Sequence, residues 1–465
     1  MCGFDPLLRH QPSLSNAKAA HHGGALHKRR GGGPRRSSYN SDSLRTLIVA
    51  ALLAIALVRF GAVAHRGLSY SIGDFYATLP GVYVETLNPT LWASPDLTDV
   101  QGKSSFYHRG PTQYLTALPL SFLDSYREIA LVLLGVFAIL IAGAAFVMWR
   151  AFGGPGRDPI LLMLILSASL VFYPTLQAYV AREFEIVIMV ATTLLFAAAL
   201  AGRQSAIGAW TAYLSLYKFM PLALLPLLVA RRWWRALAGV AATAAIMLAA
   251  AHALFGLQNF SSDGFVQDLA SHLLSTLGST GQFCHGPFDL LRYAPQSHDV
   301  SVRFALCGIN ESLPFPAAAT YVALIVATLL VLAYGFFRAE RSAPLAPDAE
   351  RWRRTWELSA VVIVYVTFFF THYYYLTVLI VPLTALMVRA YQQHRAGLWI
   401  AWAVSYLLLS AFLLPLSQLT KWLHVDVFNL YISTFVYLPG ELLLLGVVLY
   451  EYATLPLKNL REEPS

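Results

Sequence analysis

Apolar residues fall along this chain in long blocks separated by short basic or aromatic turns, a pattern too long for strands and too continuous for helices with one polar face. A helix needs about 20 mostly apolar residues to cross a bilayer. On that ruler the blocks 44–64, 128–149, 159–177, 185–201, 236–256, 317–337, 356–370, 373–390, 398–415 and 432–450 read as spanning helices. Residues 65–127 and 257–315 are too polar to cross and are expected as two large loops on the same side. The first is rich in Tyr, Trp, Pro and Leu, which suits interfacial helices lying on the membrane.

Charge then orients the blocks. Residues 1–43 carry Lys28, Arg29, Arg30, Arg35 and Arg36 among Gly, Ser and His, and are expected to be a disordered basic tail in the cytoplasm. No apolar run precedes Leu44, so no cleavable signal peptide is expected. Basic turns recur at Arg150–Arg157, Arg203, Arg231–Arg235, Arg338–Arg354 and Arg395, alternating with turns that lack them, and residues 455–465 form a cytoplasmic tail. Between these tails, residues 44–454 read as a single transmembrane domain. One stretch breaks the alternation. Residues 205–230 are flanked by basic turns on both sides, which one straight crossing would violate. Two short helices turning near Tyr217–Pro221 satisfy the rule, because Pro221 removes a backbone donor and clashes with the preceding turn. A single tilted span with a basic external cap is the alternative.

The composition agrees with a polytopic, all-α integral membrane protein: 57% of the 465 residues are hydrophobic and 12% charged, with a mean hydropathy of +0.56, whereas a soluble domain carries about 25% charged residues. The net charge of +8 is concentrated in inter-helix turns, so it reports orientation and no nucleic-acid partner is expected. Of the three cysteines, Cys284 and Cys307 share the second large loop. They can form an extracytoplasmic disulfide or remain two small apolar side chains. His21, His22 and His27 lie in the tail without ordered spacing to carboxylates or Cys, so no metal site is expected.

Charges left near the membrane are costly and are candidates for function. Asp74, in Ser71–Pro80 just after the first span, is the one carboxylate placed for chemistry, with capping of a helix over 75–88 as its plain alternative. Tyr107, His108 and Arg109 precede Gly110-Pro111, where a helix can start and offer free N–H groups to an anion. A loop capping an amphipathic helix explains the same residues. Arg182, Glu183 and Glu185 cluster where the fourth span begins; Arg182 and Glu185 at i,i+3 can equally form an interfacial ion pair. Lys218 sits in the broken segment and can snorkel to a headgroup. His372 sits among tyrosines in Phe370–Tyr375 and can belong to an aromatic belt. All of these fall on the external side of the expected topology.

The combination, above all the stretch Gly208–Pro221 with Lys218 and Pro221 followed by the basic turn Arg231–Arg235, resembles glycosyltransferase family 87. That is the polyprenol-phosphate-mannose-dependent mannosyltransferase group of the GT-C superfamily of integral membrane glycosyltransferases. The likeness spans Leu44 to about Ala390. It implies a GT-C-type bundle of about ten spanning helices plus the short broken hairpin. It also implies a catalytic base in the first external loop, matching Asp74, a Lys-x-x-Pro element at Lys218 and Pro221, and a late His-containing turn at His372. The chain departs from the family pattern at Ala181–Glu185, where Gly-Gln-x-Asn is common, which leaves the sugar and acceptor open.

The expected activity is transfer of a sugar, mannose by the resemblance, from a polyprenyl-phosphate donor to a hydroxyl of a glycolipid or glycan acceptor on the extracytoplasmic face of the cytoplasmic membrane. A phosphate leaving group is already a stable anion, so a single base suffices where glycosidases need two carboxylates. Lys218 with Arg182 or Arg109 would offset charge on the departing phosphate, Tyr107, His108 and Glu183 would contact substrate, and His372 would orient the acceptor or phosphate. No cofactor is expected; the partners are membrane lipids, the lipid-linked sugar and the acceptor. The alternative is a transporter or flippase of lipid-linked sugars, although the paired broken helices common in transporters are not evident here.

Overall fold

A computed structural model describes residues 38–68, 111–123, 126–153, 158–218, 224–255, 284, 300–313, 316–340, 346–368, 373–411, 420 and 422–462. Met1–Arg45, of which only the first turns of a helix are described, and Thr46–Ser465 are distinguished as two units. Among the described residues there is no strand. The helices are α1 (Ser38–Leu68), α2 (Pro111–Ala117), α3 (Tyr126–Phe152), α4 (Pro159–Val171), α5 (Tyr173–Val180), α6 (Glu185–Leu200), α7 (Gln204–Lys218) and α8 (Leu225–Ala230). They continue as α9 (Trp234–Phe255), α10 (Val302–Ser312), α11 (Ala317–Glu340), α12 (Pro347–Phe368), α13 (Ile380–Gln393), α14 (Ala396–Leu409), α15 (Val427–Ser433) and α16 (Tyr437–Glu462). A 3-10 turn, Tyr373–Leu379, leads into α13.

Among the described residues six helices are long and apolar enough to cross a membrane: Ser43–Leu68, Glu128–Phe152, Trp234–Leu254, Ala317–Arg338, Tyr373–Gln393 and Tyr437–Leu455. Four other expected spans take different forms. The block 159–177 becomes α4 and α5, bent by 57° at Phe172, because Pro174 enters at the start of the second helix and cannot continue the first one's hydrogen bonding. Counted as one span, the pair raises the number to seven. The blocks 185–201 and 398–415 give helices of 16 and 14 residues. The block 356–370 belongs to α12, which starts earlier, at Pro347, and carries Glu350, Arg351, Arg353, Arg354 and Glu357.

The Tyr373–Gln393 span is buried on almost every side and forms the centre, whereas α1 and α9 turn most of their surface outward. A helix apolar all round belongs in a core, and Leu47, Ile55 and Val58 of α1 and Ile246 of α9 are exposed where lipid would cover them. Glycine lets α7 lie directly on α9. A Cβ at Gly208 would stand 2.0 Å from the Ala236 carbonyl oxygen, and one at Gly239 2.7 Å from that of Ser205. Small residues that permit such backbone approach are what membrane helices use in place of a hydrophobic driving force.

One end of the bundle is tied by buried ion pairs. Glu357, 1% exposed, accepts from Arg231 Nη2 and, at 3.2 Å, from Nε, and from the Tyr452 hydroxyl at 3.0 Å. Glu451 accepts from Arg395 Nη1 at 2.6 Å and lies 3.8 Å from Arg389 Nε. Arg354 reaches the Ala199 carbonyl at 3.4 Å and lies 5.8 Å over the Trp233 ring. Arg351 donates to the Ala151 carbonyl. Asp158 caps α4 through Ile160 N at 2.9 Å and accepts from the Tyr391 hydroxyl.

Both flanks of 204–230, Ala199–Gly202 before it and Arg231–Trp233 after it, therefore touch the same stretch of α12. The chain leaves and returns to one end through α7 and α8, as the charge alternation requires. Breaking one partner of a buried pair costs about 3–5 kcal/mol, whereas replacing both by apolar residues is often neutral. Arg231→Met is accordingly expected to lower the melting temperature in detergent sharply, and Arg231→Met with Glu357→Leu to restore most of it; equal losses would show that the pair is not a coupled unit.

Candidate functional site

The opposite end is built differently, from hydroxyls, amides and a tight turn. α5 closes on the αL cap typical of helix ends: Glu183 N donates to Ala178 O at 2.8 Å and Arg182 N to Tyr179 O at 3.2 Å. The left-handed position is usually glycine, as at Gly202, which closes α6 with φ +68. Here it is Arg182, with φ +57, at a cost on the order of 1–2 kcal/mol. A strained residue invites a functional explanation. Its guanidinium, buried, donates from Nη2 to the Gly67 carbonyl at 2.5 Å. Arg182 thus holds the last turn of α1, from which the chain runs on toward Asp74.

The next residues bury two acids. Glu183 and Glu185 flank Phe184 and are both buried. Phe184 packs edge-on against Tyr217, centroids 6.3 Å apart. Tyr217 is the penultimate residue of α7, and its ring stacks at a tilt on Tyr213, 5.8 Å away.

α2 closes this group. Gln113 Nε2 donates to the Tyr217 carbonyl at 2.7 Å, and Thr116 Oγ1 and the Tyr213 hydroxyl share a hydrogen bond at 2.9 Å. The Gln113 Oε1, Thr112 Oγ1 and Tyr217 Oη atoms are buried with no hydrogen-bond partner. Each such group costs about 1–3 kcal/mol if left unmade, so buried polar atoms of this kind ask for a ligand or water. On the other side, the 3-10 turn packs Tyr373 against Tyr173, 5.8 Å between centroids, and donates from the Tyr373 hydroxyl to Leu409 O at 2.8 Å. One helical turn below Lys218, a small apolar cavity opens among Leu195, Leu214, Leu224, Val361 and Tyr365.

Of the residues singled out in the sequence, Arg182 and Glu183 stand at this end with Glu185. Lys218 ends α7, and its side chain lies outside the described residues, as do Asp74, Tyr107, His108, Arg109 and His372. Their described neighbours do converge: Gly67 at the end of α1, α2 immediately after Tyr107–Gly110, Tyr217 before Lys218, and Tyr373 after His372. Thr112, Gln113, Tyr213 and Tyr217 were not singled out. Thr112 and Gln113 directly follow Gly110-Pro111, and Tyr213 and Tyr217 lie inside Gly208–Pro221, but nothing in the letters marks which of their polar atoms find partners. Among the described residues no group of three His, Cys, Asp or Glu could hold a metal. Cys284 and Cys307, whose pairing was open, form a disulfide with Cα atoms 5.6 Å apart. It joins Cys284 to α10, whose Phe304 packs on Phe435 just before α16, centroids 5.6 Å apart.

The sequence model of glycosyltransferase family 87 matches residues 107–349, more than half of the 465-residue chain. The match encloses α2, the Arg182–Glu185 turn, α7 and both bridged cysteines; Asp74 and His372 fall beyond its two ends. No curated protein sequence matches the chain.

If Arg182 anchors α1, Arg182→Ala should speed amide hydrogen exchange several-fold in residues 62–68 while leaving residues 350–357 at the ion-paired end unchanged. Unchanged exchange in 62–68 would show that the Gly67 contact does not hold that turn.

Proposed function

The chain belongs to glycosyltransferase family 87, and from that membership we propose a specific reaction for this membrane glycosyltransferase: transfer of a sugar, with mannose expected, from a polyprenyl phosphate to an acceptor hydroxyl on a glycolipid or glycan. The observation that carries the reading is the convergence, at the end opposite the ion pairs, of the end of α1, α2, the end of α7 and the start of the Tyr373 turn. These are the described segments that lead into or out of Asp74, Tyr107–Arg109, Lys218 and His372. Family membership displaces the transport alternative.

In the proposed step Asp74 takes the proton of the acceptor hydroxyl as its oxygen attacks the anomeric carbon. The bond from that carbon to the phosphate oxygen breaks, its electron pair leaves with the phosphate, and configuration inverts. Phosphate departs as a stable anion, so no acid is needed. Lys218 and Arg109 supply cationic donors for the growing charge, and His372 orients the acceptor or phosphate. Arg182, engaged with Gly67, positions the segment that follows α1. The prenyl chain lies against apolar helix walls reached from the lipid.

Two independent rules support an extracytoplasmic site. Positive turns face the cytoplasm, and the basic turns gather at the ion-paired end. Disulfides persist in oxidising compartments, and Cys284–Cys307 is at the other end. In sealed right-side-out vesicles, a membrane-impermeant maleimide is therefore expected to label Ser433→Cys, an exposed position next to Phe435 at the disulfide end; labelling only after the vesicles are opened would reverse the orientation.

For the chemistry, radiolabelled transfer from short-chain polyprenyl phosphate mannose should fall by about 10²–10⁴-fold in Asp74→Asn, with monodisperse purification as the check on folding. A rate that survives the substitution would move the base elsewhere, and absence of transfer by the wild type from any lipid-phosphate sugar would remove the proposed donor.

A further inference from the structure

At the ion-paired end most arginines are already spent. Arg231 is bonded to Glu357, Arg353 and Arg354 to Glu350 at 2.5 and 3.0 Å, and Arg389 and Arg395 face Glu451. Two adjoining turns carry three that are not. Among the described residues no acid pairs with Arg203, Arg232 or Arg235, and all three are exposed.

Contacts bring these turns together. Arg203 immediately precedes α7, and Arg235 is the second residue of α9. A Cβ at Gly239 would stand 2.7 Å from Ser205 O and one at Gly208 2.0 Å from Ala236 O, so the two helices start side by side. The Arg354 guanidinium sits between the turns. Its Nη1 donates to Ala199 O at 3.4 Å and lies 3.6 Å from where a Cβ of Gly202 would be, and its central carbon is 5.8 Å over the Trp233 ring. Arg203 follows Gly202 directly, and Arg232 and Arg235 flank Trp233-Trp234. Two helix starts side by side add the positive ends of their dipoles to this charge. The remaining acid of α12, Asp348, lies about 9 Å along the helix from Arg354.

What adjoins the turns selects the partner. Trp234 is 64% exposed, and an exposed apolar stripe continues from it along α9 through Ala238, Ala241, Ala245, Ile246 and Ala249. That helix is long and apolar enough to span, with nearly all of its surface turned outward. Acyl chains therefore cover the stripe, and the arginines stand at headgroup level, where Trp is also favoured. A soluble anion has no use for the stripe, and a zwitterionic headgroup brings a cation of its own against the arginines. A lipid with a net negative head and apolar chains satisfies both halves.

We infer that the Arg203 and Arg232–Arg235 turns form a binding site for an anionic phospholipid of the leaflet in which α7 and α9 begin. Arg232 and Arg235 hold the headgroup phosphate, Arg203 adds to the field, and the chains lie along the α9 stripe. Orientation in the membrane asks only for positive charge on this side. The site asks in addition that particular arginines stand clear of acids beside an apolar stripe, and it is independent of the transferase reading.

The experiment measures dissociation constants of phosphatidylglycerol and phosphatidylcholine by native mass spectrometry of the full chain in detergent. Wild type is compared with Arg232→Gln, Arg235→Gln and Arg150→Gln, with melting temperatures as the check on folding. Arg150→Gln removes an equal charge from the exposed end of α3. The wild type is expected to prefer phosphatidylglycerol, and that preference to fall about fivefold in Arg232→Gln and in Arg235→Gln while holding in Arg150→Gln. No preference in the wild type, or an equal fall in all three variants, would overturn the site and leave only a diffuse field. Equally tight binding of glycerol phosphate, which has the charge and no chains, would make this a soluble-anion site and overturn the lipid assignment.

Discussion

The rest of the structure depends on how Glu357 and Glu451 are satisfied. Both carboxylates are buried in a chain whose surroundings are apolar, and an uncompensated charge there is worse than no charge at all. Each must therefore meet its arginine with good geometry, and the arginines come from elsewhere: Arg231 from the turn between α8 and α9, Arg389 and Arg395 from around the turn between α13 and α14. Glu357 lies on α12 and Glu451 on α16, and Tyr452, next to Glu451, bonds Glu357. The two pairs are thus one lattice. Such pairs add little net stability over apolar replacements, but they admit only one register of helix ends.

Fixing one end has a consequence at the other. With the basic ends of α6, α7, α9, α12, α13 and α16 held together, their far ends are brought together too. The bend at Phe172 and the break after Lys218 both fall there, and they are what gives the region side chains in several directions. A set of straight helices would present only their tips. The bend turns α5 so that Arg182 meets Gly67, and α7 ends at Lys218 with Tyr217 beside α2.

How much of this the letters carry can be judged residue by residue. Block length alone locates α3, α9 and α11, because an apolar stretch long enough to span has few other uses. Charge parity favours an excursion over 205–230, since Arg203 and Arg231 at opposite ends of one straight crossing would break the alternation. Both are local or additive signals. The features that were not legible are pairings across long separations: Arg231 with Glu357 is 126 residues apart, Gln113 with Tyr217 is 104 and Arg182 with Gly67 is 115. The same reason explains why α12 starts earlier than its apolar block. Its charged first half looks like a loop until partners on other helices are known. The family resemblance pointed to Asp74, Lys218 and His372 but not to Gln113 or Tyr217, whose leftover atoms exist only once their other bonds are assigned.

The two sets of candidates answer opposite electrostatic demands. Transfer from a lipid phosphate asks for positive charge where the leaving group departs and for neutral or negative acceptors where the sugar's hydroxyls sit. Were the same residues to serve both, the cations would be neutralised by the acids and the departing phosphate would lose its stabilisation. The two kinds of residue are neighbours along the chain, Lys218 next to Tyr217 and Arg182 next to Glu183, so only the directions of their side chains can keep them apart. Arg182, bonded to Gly67, ties the acidic turn to the end of α1, which gives a physical reason for arginine in a backbone conformation that glycine would adopt without strain.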